Sequence, residues 1–480
     1  MEKFVDRQSE IAELNQLLSG SSAQFISIYG RRRVGKTTLI LQWAQDSGLP
    51  YLYWVARRET ADAARHSLAR TVWAWAYPDT PNPEPPRFDS WEILFREMAR
   101  LLGDKKTIVI LDEFPYLVES DPSFPSHLQA AWDHLFKEKP YLLVLAGSHI
   151  GMMVDMMAYK APLYGRFTAQ MPVDALPFAA LREFFPRYDA AERTATYAVL
   201  GGIPAYLERF DPKIKFSDNI RNSLFQRTGL FRNEPDVLIS DLVRETRIYE
   251  SVLRAIATGA RTPAEISPET GIPPQNLPPY LKRLGELRLI ERRIPATIPP
   301  SQRQSTTRSR YHVRDPYLRF YFRFIERNQE MIELGLIDAL WEEIAEQFRA
   351  FIGNTTFEEL AREWIVAQAH IKALPFTPEI VGAHWATDSQ VDVVAINWRE
   401  KAILLGECKW GTNPVGRAVI RELFDKTSMV VPGDDWTVHY AFFARAGFTP
   451  AAEQTAREAK SLLVDLARLD SDLLAALNRK

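Results

Sequence analysis

Gly30, Arg31, Arg32, Arg33, Val34, Gly35, Lys36 and Thr37 spell G-x-x-x-x-G-K-[ST], and Thr38 follows at once. Such a run wraps phosphate: the glycines permit a tight turn and the loop N–H groups cradle the anion. FISIY (25–29) ahead of it reads as a buried strand, and TLILQWAQ behind it as an apolar helix whose N-terminus adds its dipole. Lys36 is then placed for the β- and γ-phosphates of ATP, and Thr37 for Mg²⁺ through its hydroxyl. A second apolar strand, TIVIL (107–111), runs directly into Asp112 and Glu113. Asp112 is the candidate Mg²⁺ ligand, and Glu113 the group that orients and polarises the attacking water.

A third constellation lies far downstream. QVDVVAIN (390–397) carries Asp392, and AILLGECKW (402–410) carries Glu407 and Lys409. A two-residue step puts Glu407 and Lys409 on one face of a strand and Cys408 on the other. A hairpin between the two strands brings Asp392 beside them. Two carboxylates of this kind can hold Mg²⁺ or Mn²⁺ against a phosphodiester, with the lysine supporting the attacking water. The competing reading is an exposed Glu–Lys pair on a solvated strand face. Two further residues carry open alternatives. Ser148, after the strand YLLVLA (141–146), either senses the γ-phosphate or caps a helix. Arg166, in APLYGRF, either stabilises developing phosphate charge, within the chain or across a subunit interface, or is an ordinary surface arginine.

The elements that must position these groups follow from the pattern of the 480 residues. FISIY, YLYWVA (51–56), TIVIL and YLLVLA alternate with helical stretches, which implies a parallel α/β sheet over 1–170. PDTPNPEPPR (78–87) has five prolines in ten residues and must be a surface loop. Proline-broken periodicity over 171–244 implies a small helical lid. From 245 to 315 the order is helix, helix, helix, hairpin: ESVLRAIATGA, RTPAEISPETG, NLPPYLKRLGELRLI, then LIERRIP with SRYHVRD. That is a winged helix-turn-helix, with PPSQRQSTTRSR (299–310) as the wing tip. Together with Lys282, Arg283 and Arg288 it forms a local basic surface that either meets DNA phosphates or packs on a neighbouring domain. The segment 316–349 is an aromatic helical linker, with Tyr317, Phe320, Tyr321 and Phe324 read as packing. A second α/β pattern fills 350–480, closed by a leucine-rich stretch (451–480) that reads as helical.

Composition bounds the remainder. Hydrophobic residues make up 46% and charged residues 25%, as in ordinary globular chains. With 59 basic and 61 acidic residues the net charge is −2, so nucleic-acid binding needs a local basic patch. One cysteine excludes an internal disulfide and a cysteine-cluster zinc site. The N-terminus is charged from its second residue, and the apolar runs fall far short of the roughly 20 residues that span a bilayer. A cytoplasmic chain without a membrane partner is the expectation.

The motifs FVDRQSE (4–10), YGRRRVGKTTL (29–39), ILDEFPYL (110–117), APLYGR (161–166) and GGIPAYL (201–207) resemble the archaeal-type ATPase family of the STAND branch of AAA+-related P-loop ATPases. The resemblance implies adenine contacts from the segment of Arg7 and Glu10 and from the Gly-x-Pro element, Gly202 and Pro204. It also places a winged helix after the lid. Asp6 stands where that family usually has glycine. The C-terminal residues resemble the PD-(D/E)xK nuclease superfamily, whose N-terminal helix glutamate corresponds to Glu358, with Glu359 adjacent; Gln390 replaces an acid common in that pattern. The resulting expectation is an Mg²⁺-dependent ATPase coupled to DNA binding and metal-dependent DNA cleavage, with a homo-oligomer among its expected partners. The alternative is a STAND-type regulatory or scaffold ATPase whose nuclease-like domain binds without cutting.

Overall fold

The computed structural model describes residues 4–240 and 245–479; residues 1–3, 480 and the last four of the expected lid, 241–244, lie outside them. The chain divides into two compact units, one running to Leu176 and including Ile203–Ala205, the other made of Pro177–Gly202 and the chain from Tyr206 onward.

The first unit is built on five parallel strands, β1 (Gln24–Tyr29), β2 (Tyr51–Val55), β3 (Thr107–Asp112), β4 (Tyr141–Gly147) and β5 (Ala169–Pro172), in the order β2-β3-β4-β1-β5. β3 and β4 are buried along their whole length, as strands covered on both faces must be. Helix α1 (Gln8–Ser19) precedes the sheet, and α2 (Lys36–Asp46) starts at the phosphate loop. The sequence reading has four strands here. β5 escapes it because AQMP is short, half-exposed and proline-ended, and it pairs with β1 only through residues 26–29. Two glycines shape the loop. Gly35 has φ 92°, a conformation open to glycine at little cost. At Gly30 a Cβ would stand 2.3 Å from the carbonyl oxygen of Val173, so a side chain is excluded by backbone packing.

The second unit contains α3 (Thr246–Thr258), α4 (Pro263–Thr270) and α5 (Pro278–Glu286), then an antiparallel pair, β6 (Ile290–Arg293) and β7 (Arg310–Val313). The start of α4 is set by a capping box between Thr262 and Glu265. Tyr317, Phe320, Tyr321 and Phe324 of the aromatic segment are buried, and all four rings contact other aromatic rings, among them Tyr206, Phe348 and Phe351. Beyond them lie α6 (Glu358–His370) and a five-stranded mixed sheet: β8 (Ile380–Trp385), β9 (Gln390–Asn397), β10 (Ala402–Lys409), β11 (Thr437–Ala444) and β12 (Leu462–Asp465). β8–β9 and β9–β10 pair antiparallel; β10–β11 and β11–β12 run parallel, with α7 (Arg417–Val430) crossing between β10 and β11. The leucine-rich terminus is not helical throughout. Leu462–Asp465 forms β12, because pairing with β11 satisfies its backbone, and Asp465 then caps the helix Leu466–Leu477.

Candidate functional site

The nucleotide-type site of the first unit is assembled from strand ends. Lys36 is buried at the start of α2, and its ammonium donates to the carbonyls of Gly30 (2.9 Å) and Arg31 (3.2 Å). Burial pulls its pKa below the usual lysine value, against the opposing charges of Glu113 and Asp112. Thr37 Oγ1 donates to Asp112 Oδ2 at 2.7 Å, so the two candidate Mg²⁺ ligands sit side by side. The Glu113 amide donates to the other Asp112 oxygen at 2.8 Å. Glu113 itself has φ 49°, a left-handed conformation rare outside glycine, which turns its carboxylate toward β4. There its Oε2 accepts from the Ser148 hydroxyl (2.8 Å) and amide (3.3 Å). Ser148 therefore touches Glu113, while the cap of the following helix is His149.

Tyr53 was not singled out from sequence. Its hydroxyl donates to Asp112 Oδ2 at 3.1 Å, and burial together with the Asp112 charge raises its pKa. The available signal was a tyrosine within an apolar strand that the parallel order sets next to β3. Arg7 has φ 78° and donates to the carbonyls of Val34 (2.9 Å) and Asp174 (2.8 Å), with Glu10 as its ion-pair partner at 2.7 Å. It thus braces the phosphate loop from below. Asp6 also has positive φ, 61°, which is the physical reason a glycine suits that position. Pro204 stands over the loop, its Cγ 3.8 Å from the position of a Cβ on Gly35. Arg166 is paired with Asp133 through three contacts of 2.8–3.2 Å.

In the second unit, Glu358, Asp392, Glu407 and Lys409 line one cavity of about 480 Å³. Lys409 Nζ donates to Glu407 Oε1 at 2.6 Å, and the Cys408 amide donates to Asp392 Oδ2 at 3.0 Å. Burial, with the Asp392 charge added, pushes Glu358 up to about 8 and raises Glu407. Lys409 is raised by its bond to Glu407 in spite of burial. The Asp392 charge bears on both glutamates, and carboxylate oxygens are the donors that a hard cation takes. Among the described residues no group of three or more His, Cys, Asp or Glu converges as a preformed metal cage. Cys408, expected on the opposite face, is half-buried and also lines this cavity, its amide being the Asp392 donor, and desolvation raises its thiol pKa.

The two adjacent glutamates of α6 part company. Glu359 accepts from Arg319 (2.8 and 2.9 Å) and Arg293 (2.6 Å), and these arginines hold it well below the usual carboxylate range despite burial. Among the described residues Glu358 has one ion-pair partner, Arg362, at 3.5 Å. The β6–β7 pair is seated on β8. Ala296 N donates to Ala383 O at 2.9 Å, Thr297 Oγ1 meets His384 Nδ1 at 2.6 Å, and Arg310 lies over the Trp385 ring at 5.0 Å. Lys282 and Arg283 both face Glu286.

The chain is 34% identical to an uncharacterised protein of Methanocaldococcus jannaschii over 445 residues, 92% of this chain and 95% of that one. Residues 4–210 match the family described as ATPase domain predominantly from Archaea. The chain belongs to the family of that protein and carries this archaeal-type ATPase domain. This ATPase is an ATP-hydrolysing enzyme. A Walker-type ATPase of Pyrococcus abyssi shares its fold, with a TM-score of 0.50 and 21% identity, covering 66% of this chain and 96% of that chain. The ORC2 protein of Aeropyrum pernix, in ADPNP–ADP complexes, aligns at 15% identity and TM-score 0.42, covering 70% and 97%. Residues 321–419 match a family of archaeal and bacterial proteins of unknown function, and that stretch contains Glu358, Asp392, Glu407 and Lys409 of the ATPase. Among the described residues no helix is long and apolar enough to cross a membrane.

Proposed function

We propose that the ATPase uses nucleotide turnover to control DNA binding and metal-dependent DNA cleavage by its C-terminal α/β domain. The domain plan behind this reading is a P-loop domain (1–170), a helical lid (171–244), a winged helix (245–315), a helical linker (316–349) and a PD-(D/E)xK nuclease-like domain (350–480). The observation that carries it is the single cavity shared by Asp392, Glu407, Glu358 and Lys409.

In the ATP site, the loop Gly30–Thr38 takes the phosphates, with Lys36 leaving the Gly30 and Arg31 carbonyls for the β- and γ-oxygens. Thr37 and Asp112 would hold Mg²⁺, which when bound neutralises phosphate charge. Glu113 orients water, and its hydrogen bond to Ser148 ties that role to the end of β4. Arg7 and Pro204 frame the adenine side. Arg166 is assigned to developing phosphate charge, in its own chain or in a neighbouring copy of a homo-oligomer, once it exchanges Asp133 for the nucleotide. At the C-terminal site Asp392 and Glu407 would hold Mg²⁺ or Mn²⁺. Such an ion commonly takes one or two carboxylates and completes its shell with water and substrate phosphates, which suits an open pair better than a closed cage. Lys409 positions the attacking water, and Glu358 is the additional acid. A cytoplasmic location fits this chemistry.

The test is cleavage of single-stranded, duplex and branched DNA with Mg²⁺ or Mn²⁺, with and without ATP, by the full chain and by Asp392→Ala. Cutting that Asp392→Ala abolishes while ATP hydrolysis persists is the expected result. Cutting retained by Asp392→Ala sinks the site assignment. The scaffold reading, binding without cutting, is favoured by the lack of a three-ligand cage among the described residues; it predicts DNA binding with no product under any of these conditions.

A further inference from the structure

We propose that Arg261 and Arg310, from outside the C-terminal sheet, form a seat for one backbone phosphate each of a DNA strand whose neighbouring phosphate is presented to Asp392 and Glu407. This rests on the cleavage reading and adds to it the residues that grip the substrate strand.

The cavity that holds Asp392 and Glu407 is also lined by Arg261 and Arg310. Arg261 immediately precedes the cap of α4, and Arg310 opens β7, so both come from the helix-and-hairpin segment. The nearby arginines are compensated: Arg293 and Arg319 share Glu359. Arg261 and Arg310 are not; among the described residues neither has a carboxylate within ion-pair distance. The Arg261 guanidinium instead meets the ring nitrogens of His312, the shorter contact 2.8 Å to Nδ1. Burial, then Arg293 and Arg261, push His312 down to about 2, so this neighbour brings no negative charge. Arg310 rests on the Trp385 face, which orients it without neutralising it.

Neither guanidinium is bonded to a carboxylate, and the Arg261 pKa is lowered by burial first and then by Arg310 and Arg293, although Glu358 and Glu265 pull the other way. The guanidinium fork matches phosphate oxygens two at a time. A lone small anion would satisfy the arginines but would gain nothing from the carboxylate wall of the same cavity. A nucleic-acid strand repeats its phosphates along the chain, so it can meet both walls together. The grip then lies at the root of the hairpin. Of the loop between the strands, Arg303 is engaged locally, donating to Pro295 O at 3.1 Å, and Arg292 of β6 donates to Thr306 O at 2.9 Å.

The experiment uses the full chain and a fluorescein-labelled single-stranded oligonucleotide, with Ca²⁺ in place of Mg²⁺, titrated by anisotropy from 50 to 200 mM NaCl. The chains compared are wild type, Arg310→Gln, Arg261→Gln with Arg310→Gln, and Lys213→Gln, at an exposed lysine outside the basic surface, as control. Each lost phosphate contact flattens the log–log salt slope by about 0.7 on a single strand, roughly a 2.6-fold smaller loss of affinity across this range for Arg310→Gln and about sevenfold for the double variant. Lys213→Gln should keep the wild-type slope. Unchanged ATP hydrolysis reports intact folding of the first unit, and Arg261→Lys, which retains the charge, should restore the slope if the hairpin is folded. A double variant that binds with wild-type affinity and slope overturns the proposal, even where Asp392-dependent cleavage is present and the cleavage reading stands. A reduced slope without any Asp392-dependent cleavage keeps the phosphate seat and removes the cleavage reading. A wild-type chain that binds no strand overturns both.

Discussion

Replacing Glu359 with alanine removes the carboxylate that Arg319 and Arg293 share at 2.6–2.9 Å, and leaves Arg293 with Glu291. The buried Arg319 guanidinium is then left without its carboxylate. Breaking a buried pair by deleting one partner costs about 3–5 kcal/mol, and the 27% exposure of the Glu359 side chain favours the lower end, about 3 kcal/mol. For a large domain each kcal/mol moves the melting midpoint by about 2–4 °C, so the expected drop is about 6–12 °C. The assay is differential scanning calorimetry of the full chain, read as the apparent midpoint of the C-terminal transition because a chain of two units need not melt in one step. Glu358→Ala provides the contrast. Its carboxylate is pushed up to about 8 by burial and by Asp392, so its removal relieves crowding, and the midpoint should hold or rise. A Glu359→Ala midpoint within 2 °C of wild type, or a larger loss from Glu358→Ala than from Glu359→Ala, would refute the division of labour between these neighbours; that 2 °C threshold is about the effect of 1 kcal/mol.

Glu113→Gln should bind ATP yet release phosphate about 10²-fold more slowly or worse, the usual loss when a positioned base is removed; equal phosphate release would remove the water-orienting role. Tyr53→Phe deletes one of the hydrogen bonds on Asp112, worth about 1 kcal/mol, and should lower ATPase kcat/KM by roughly fivefold; an unchanged value would mean that Thr37 and the Glu113 amide place Asp112 unaided. His312 faces Arg261, Arg293, Arg319 and Glu359, and its folded pKa lies below its ordinary 6.5, at about 2. Below pH 6.5 the unfolded chain takes up a proton that the folded one refuses, so stability falls as pH drops from 6.5 toward 2, by up to about 1.4 kcal/mol per pH unit. His312→Gln should flatten this part of the urea-midpoint profile, and an identical profile would count against a buried neutral imidazole.

The local signals of this chain are strong where chemistry demands a fixed spacing. The phosphate loop between β1 and α2, and Asp112–Glu113 at the end of β3, are contiguous motifs whose flanking strand and helix are also local, so they were legible from residues alone. The same holds for β9 and β10 as apolar strands and for the three helices and hairpin between 246 and 313. Short elements were not legible when their pairing is remote: β5 depends on β1 some 140 residues earlier, and β12 on β11, since neither AQMP nor LLVD carries a period of its own. The choice between Glu358 and Glu359 was likewise beyond sequence, because adjacent helix positions differ by about 100° in direction and only the arrival of Arg319 and Arg293 decides which is neutralised. Tyr53 met Asp112 only through the order of the parallel strands. Residue type and spacing determined which groups can do chemistry; the tertiary structure decided which charges are matched and which are left facing a cavity, because burial and neighbouring charge belong to positions in space and not to positions in the chain.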